Sequence, residues 1–240
     1  VYGTTILSSL MTDRITRKLG TGLVTAISVG LTALALLGFS FANSFPLLLF
    51  FAIPMGLGAG GVDASLNNYM AIHYSSKFMS WLHCFWGIGA IISPYIMSFW
   101  LKNDLQWQKG YLTVGILQSV LTVVLFMSLP LWKKNHKTAE AEETQSPPLT
   151  YPQIFRLKGI FSMLLSFTAY CAIEGLAFSW TSSYLVSGRG MSAEDGAKYA
   201  ALFYFGMTIG RLITGFFADK LGDKNMTRLG CLLSFAGIVL

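Results

Sequence analysis

Long apolar stretches alternate with short polar islands along the whole chain. Runs of mostly apolar residues lie at about 20–41, 46–72, 78–101, 109–131, 159–187 and 197–218. Each is near the ~20 residues that carry an α-helix across a ~30 Å hydrocarbon core. Partial runs occupy about 1–11 and 226–240, and we expect both to be spans cut short by truncation. The pattern predicts helices throughout. An open strand in lipid leaves backbone groups without partners, and no ten-residue alternation of a barrel strand is present. The expected fold class is all-α, a polytopic bundle of membrane helices.

The polar islands differ in charge. Counting eight runs in order, the connections after the first and third carry Arg14, Arg17, Lys18 and Lys77. Those after the fifth and seventh carry Lys133, Lys134, Lys137, Arg156, Lys158, Lys220, Lys224 and Arg228. The alternate connections carry only Lys102, Lys109, Arg189 and Lys198, and Arg211 lies inside the seventh run. This bias of twelve to four places the first set in the cytoplasm. Loops near 12–19, 132–156 and 219–226 are therefore expected on that side of a cell membrane. The longest polar stretch, from Lys133 to about Pro152, holds Glu140, Glu142, Glu143 and Pro147-Pro148 and reads as a flexible linker. It divides the chain into an incomplete N-terminal half bundle (1–131), a linker (132–156) and an incomplete C-terminal half bundle (157–240).

Composition agrees with lipid burial. Of 240 residues, 53% are hydrophobic and 12% charged, against ~25% charge in soluble domains. The net charge of +6 belongs to helix-flanking anchors, so no nucleic-acid partner is expected. Cys84, Cys171 and Cys231 sit in apolar runs without CxxC or His/Cys clusters and read as small packers. There is no GK[ST] loop, no HExxH and no nucleophile set. Neither ATP-driven pumping, enzymatic chemistry, a cofactor nor a metal is expected.

Two polar islands repeat one another. One reads Ser9-Leu-Met-Thr-Asp13-Arg14-Ile-Thr-Arg17-Lys18 and the other Gly215-Phe-Phe-Ala-Asp219-Lys220-Leu-Gly222-Asp223-Lys224. Each sets an acid and a base at the end of a helix, with another base four residues on, at matching places on either side of the linker. These segments resemble the loop between the second and third helices of the major facilitator superfamily, G-x-x-x-D-R/K-x-G-R/K-R/K. Ser9 and Thr16 stand where that pattern has glycines, and Asp223 where it has a base. The resemblance implies that the chain covers about helices two to nine of twelve. It also implies that Asp13, Arg14, Lys18, Gly215, Asp219 and Lys220 form a cytoplasmic latch, and a monomer at full length. Arg211, two turns before Asp219, is expected in a gate or latch salt bridge near the same end.

Ionisable groups inside a span are costly and point to function. Asp63 follows Pro54-Met-Gly-Leu-Gly-Ala-Gly-Gly61, where glycines admit a neighbouring helix and Pro54 allows a kink. Asn67, four residues on, shares its face, and the two are expected to project together into the bundle. A carboxylate beside an amide can hold a hydroxyl-rich solute, and a desolvated carboxylate can take up a transported proton. Glu174 shares a face with Tyr170 and Phe178, with Thr181 nearby, a platform for a sugar ring or a cation. Trp180 is a stacking candidate. His83 shares a face with Ser80 and Gly87, and either tunes coupling or makes an interhelical hydrogen bond.

The stretch Gly58–Asn68, followed by Leu82-His83-Cys-Phe-Trp-Gly87-Ile-Gly89-Ala90 and Pro94, is similar to the fucose:proton symporter branch. That resemblance implies that Asp63 and Asn67 belong to a sugar and proton site, with Asp63 standing where the branch has a glutamate. The expected function is a secondary active transporter moving a small polar solute, a sugar, with protons by alternating access. A proton-driven efflux carrier for amphiphiles and a non-transporting receptor remain open alternatives. They predict, respectively, tolerance to loss of Asn67, and no change in flux when Asp63 and Glu174 are neutralised.

Overall fold

The structure is a computed structural model and describes residues 1–104, 106–143 and 149–239. Among these residues it is all-helical, with no strand. The elements are α1 (Tyr2–Leu19), α2 (Thr21–Phe41), α3 (Phe45–His73), α4 (Ser76–Asp104), α5 (Trp107–Glu143), α6 (Tyr151–Phe155), α7 (Ile160–Arg189), α8 (Ala193–Leu221) and α9 (Asp223–Val239). Among the described residues six segments are long and apolar enough to cross a membrane. They are Thr21–Phe41, Phe45–His73, Ser76–Leu101, Trp107–Trp132, Ile160–Ala177 and Ala201–Leu221. Each falls on one of the six full apolar runs, so the fold is that of a multi-pass membrane protein.

The polar islands are more helical than their composition suggests. The segment 12–19 continues α1 to Leu19, and the chain breaks only at Gly20 (φ 80°) before α2. Likewise α8 continues to Leu221, breaks at Gly222 (φ 75°) and restarts as α9. Both breaks need a positive φ that glycine takes without steric cost. Arg17, Lys18 and Lys220 occupy last turns, where cations complement the helix dipole. Helix α5 also runs past the apolar stretch to Glu143, over the first part of the expected linker. Lys, Ala and Glu are good helix formers, so leaving the apolar layer does not end the helix. Short α6 starts from a capping box of Thr150 and Gln153. Pro147-Pro148 lies outside the described residues.

By contact the chain gathers into two units, 1–138 with 211–240, and 139–210. In the first unit α3 lies against both α1 and α2, and its glycines determine how closely. Gly56 and Gly60 back onto Val1, Thr4 and Thr5 of α1 and the residue before it. Gly58 and Gly61 back onto Ser28 and Thr32 of α2. Small residues at these positions let helices approach within backbone contact, the usual device where lipid supplies no hydrophobic drive between helices. Polar contacts then bind the pairs. Ser8 Oγ donates to the Leu57 carbonyl at 2.6 Å, and the Thr25 and Ser65 hydroxyls meet at 3.4 Å. Helix α2 is the most enclosed, burying Val24, Ala26, Val29, Ala33 and Ala35. Helix α5 closes on it through Trp132 over Gly22 and a 2.9 Å bond from the Gln118 amide to Thr32 Oγ1.

The second unit contains α6, α7 and the first part of α8. Helix α7 ends at Gly190, whose left-handed conformation (φ 67°) returns the chain into α8. There Gly196 packs on Val186 and the Ser182 carbonyl of α7.

Candidate functional site

The carboxylate–amide pair on α3 forms as its spacing requires. Asn67 Nδ2 donates to Asp63 Oδ1 at 3.0 Å, a contact across one helical turn. Ser65, between them in sequence, is turned to α2 and buried. Because glycines and Ser65 commit the other faces of α3 to α1 and α2, Asp63 lies on a face that its own unit leaves open. It is exposed and Asn67 half-buried. On α4, His83 is half-buried beside buried Cys84, with buried Gly87 one turn on.

Glu174, Tyr170 and Trp180 belong to the second unit. Glu174 is half-buried on α7, one turn after Tyr170 on the same face. Tyr170 and Trp180 are exposed. The Phe178 side chain lies outside the described residues.

The two copies of the acid–base motif behave differently. In the first, Asp13 pairs with Arg17 Nε of its own helix at 3.2 Å. Both side chains are well exposed, and such pairs contribute little to stability. Arg14 and Lys18 are exposed as well. Thr12 is buried, and so is the Thr16 hydroxyl, which has no hydrogen-bond partner among the described residues.

In the second copy, the end of α8 docks on the start of α4. Arg211, Gly215 and Asp219 recur every four residues of α8 and so form one stripe, and Asp223 opens α9 after the break at Gly222. Arg211 Cζ lies 5.3 Å from the Trp86 ring centroid, a cation–π contact. Gly215 receives the edge of the Trp81 indole, and Phe216 meets the same ring edge-on at 5.5 Å. Lys77 Nζ stands over the Trp81 ring at 4.6 Å. At the end of the stripe, Ser75 Oγ donates to Asp219 Oδ2 at 3.0 Å, and Ser76 Oγ to Asp223 Oδ1 at 2.7 Å. The Ser75 carbonyl accepts the first helical bonds of α4, from Phe78 and Met79, so Ser75 caps that helix. Two carboxylates thus meet a helix N-terminus, where free N–H groups and the dipole favour anions. Lys220 is exposed on the last turn of α8.

Sequence reasoning found Asp219 and Gly215 but not their partners Ser75, Ser76, Lys77, Trp81 and Trp86, nor a contact for Asp223. Paired serines ahead of an apolar run are a helix-start signal. That signal names the cap, not the residue 144 positions away that bonds to it.

The sequence profile of the Major Facilitator Superfamily matches residues 1–240. The chain is 24% identical to Bypass of stop codon protein 6 of Saccharomyces cerevisiae, over 92% of this chain and 48% of that protein. It is 25% identical to the Cis,cis-muconate transport protein of Acinetobacter baylyi, over 78% and 47% of the two chains. It is 24% identical to the Hexuronate transporter of Bacillus subtilis, over 80% and 47%. The chain spans about half the length of these curated relatives. No solved structure matches it.

Proposed function

Since the chain belongs to the Major Facilitator Superfamily, we propose that it forms part of a secondary active transporter in a cell membrane, moving a small polar solute of the sugar or sugar-acid class together with protons. The observation that carries this reading is the Asn67–Asp63 hydrogen bond on α3, within a segment apolar enough to span a membrane. A charged group near the centre of a bilayer costs at least ~2.5–3.5 kcal/mol, and such groups face protein or water-filled cavities in working transporters. The paired amide leaves Asp63 Oδ2 for a solute hydroxyl or a proton. A relative named for hexuronate, a sugar acid, supports a hydroxylated solute, and one named for muconate supports a polar one.

In this reading Glu174, with Tyr170 and Trp180 on α7, is the second half's contribution to binding, and His83 tunes the first half. Alternating access rocks an N-terminal half against a C-terminal one. The latch residues at the ends of α1 and α8 stand at the cytoplasmic face, and the working unit is a monomer. Asp63 is the residue on which coupling turns.

The test uses the whole protein in proteoliposomes, with labelled sugars and sugar acids supplied with and without an inward proton gradient. Gradient-driven uptake of one solute is expected, and Asp63→Asn should reduce it at least ~10-fold, equivalent to ~1.4 kcal/mol. Extrusion of an amphiphilic dye with no uptake of any sugar or sugar acid would replace this reading with the efflux carrier.

A further inference from the structure

The corner between α8 and α9 brings two carboxylates to the start of α4, and the repeated motif accounts for only one. Asp219 occupies the acid position of the motif. Asp223 stands where the pattern has a base, and nothing in the sequence gives it a partner. In the structure Ser76 Oγ donates to Asp223 Oδ1 at 2.7 Å, shorter than the 3.0 Å bond from Ser75 to Asp219. Gly222, at φ 75°, turns the chain between the two acids, so residues four apart meet consecutive serines. A base at 223 would instead face the positive end of α4. The acid at 223 and the serine at 76 are therefore matched.

We propose that Asp223 is a positioning residue. It is a second pin that, with Asp219, holds the α8–α9 corner on the start of α4 and sets how readily that corner lifts during the transport cycle. The pin is a property of the chain, whereas its effect on the cycle rests on the transporter reading above. Its chemistry orders the substitutions. Asp223→Asn keeps an Oδ1 acceptor, Asp223→Ala removes it, and Asp223→Lys also adds repulsion at the helix N-terminus.

Hydrogen exchange at residues 219–228 of the purified whole protein tests the pin. Exchange is expected to quicken about threefold in Ser76→Ala and in Asp223→Ala, the scale of losing one solvent-exposed charged contact. The double variant should be no faster than either single one, because both remove the same bond. Asp223→Asn should fall between wild type and Asp223→Ala, and Asp223→Lys should be fastest. Unchanged exchange in either single variant, or effects that multiply in the double variant, would overturn the pin.

Uptake in proteoliposomes tests the consequence. Asp223→Ala should change the maximal rate while KM stays within about twofold, the signature of an altered step after binding. Asp223→Asn should restore most of the wild-type rate. Quickened exchange with wild-type rate and KM would overturn the role in the cycle. If wild-type protein carries no solute at all, the transporter reading fails, and the exchange measurements still decide the pin.

Discussion

At Gly58 a Cβ would run into the Ser28 carbonyl and Thr32, backbone and β-branched groups that cannot rotate away. Gly58→Ala must therefore push α3 off α2, at a cost of about 1–3 kcal/mol typical of overpacking. Gly175 on α7 has nothing within 4 Å of its would-be Cβ. Gly175→Ala should be neutral or stabilising by about 0.5–1 kcal/mol, the helix-propensity gain of alanine. Thermal unfolding in one detergent separates the two variants, and equal losses would refute the packing account. The cluster from Gly56 to Gly61 is visible in the sequence as a place of close approach. Which glycine meets which helix is not, because α1 and α2 each carry small polar residues that suit such a contact.

The helices themselves were legible to within a few residues wherever apolar length defined them, since a span must be long and uninterrupted. Their ends were not. Asp13–Lys18 and Asp219–Leu221 read as loop because charge marks the edge of the lipid, yet they continue α1 and α8 until Gly20 and Gly222. The stop is a matter of backbone conformation, not of polarity. Gly222→Ala should accordingly strain the corner by about 1–2 kcal/mol, the cost of a left-handed residue with a Cβ. Gly230, in α9 with open space around it, should accept alanine without loss. Faster hydrogen exchange at 219–226 in the first variant and not in the second is the expected result. Similar exchange in both would mean that the positive φ carries no weight there. The hydrogen bond between Asn67 and Asp63, by contrast, was legible, because both partners lie on one helix at fixed spacing.

For the molecule as a whole, the sequence assigns a side of the membrane to each helix end, by counting cations and alternating the spans. The two copies of the acid–base motif end α1 and α8, and on the proposed orientation both face the cytoplasm, while Arg189, at the end of α7, faces outward. Lys18, Lys220 and Arg189 are exposed and serve as reporters. With Cys84, Cys171 and Cys231 replaced by alanine, a single cysteine at each reporter position is labelled with a membrane-impermeant thiol reagent in sealed vesicles of either orientation. Lys18→Cys and Lys220→Cys should react only in inside-out vesicles, and Arg189→Cys only in right-side-out ones. The repeat makes a stricter demand than the charge bias. Reaction of all three from the opposite faces would merely invert the molecule and leave the repeat intact. Labelling of Lys18→Cys and Lys220→Cys from different faces would break the equivalence of the two motifs, and with it the two-halved transporter built on them.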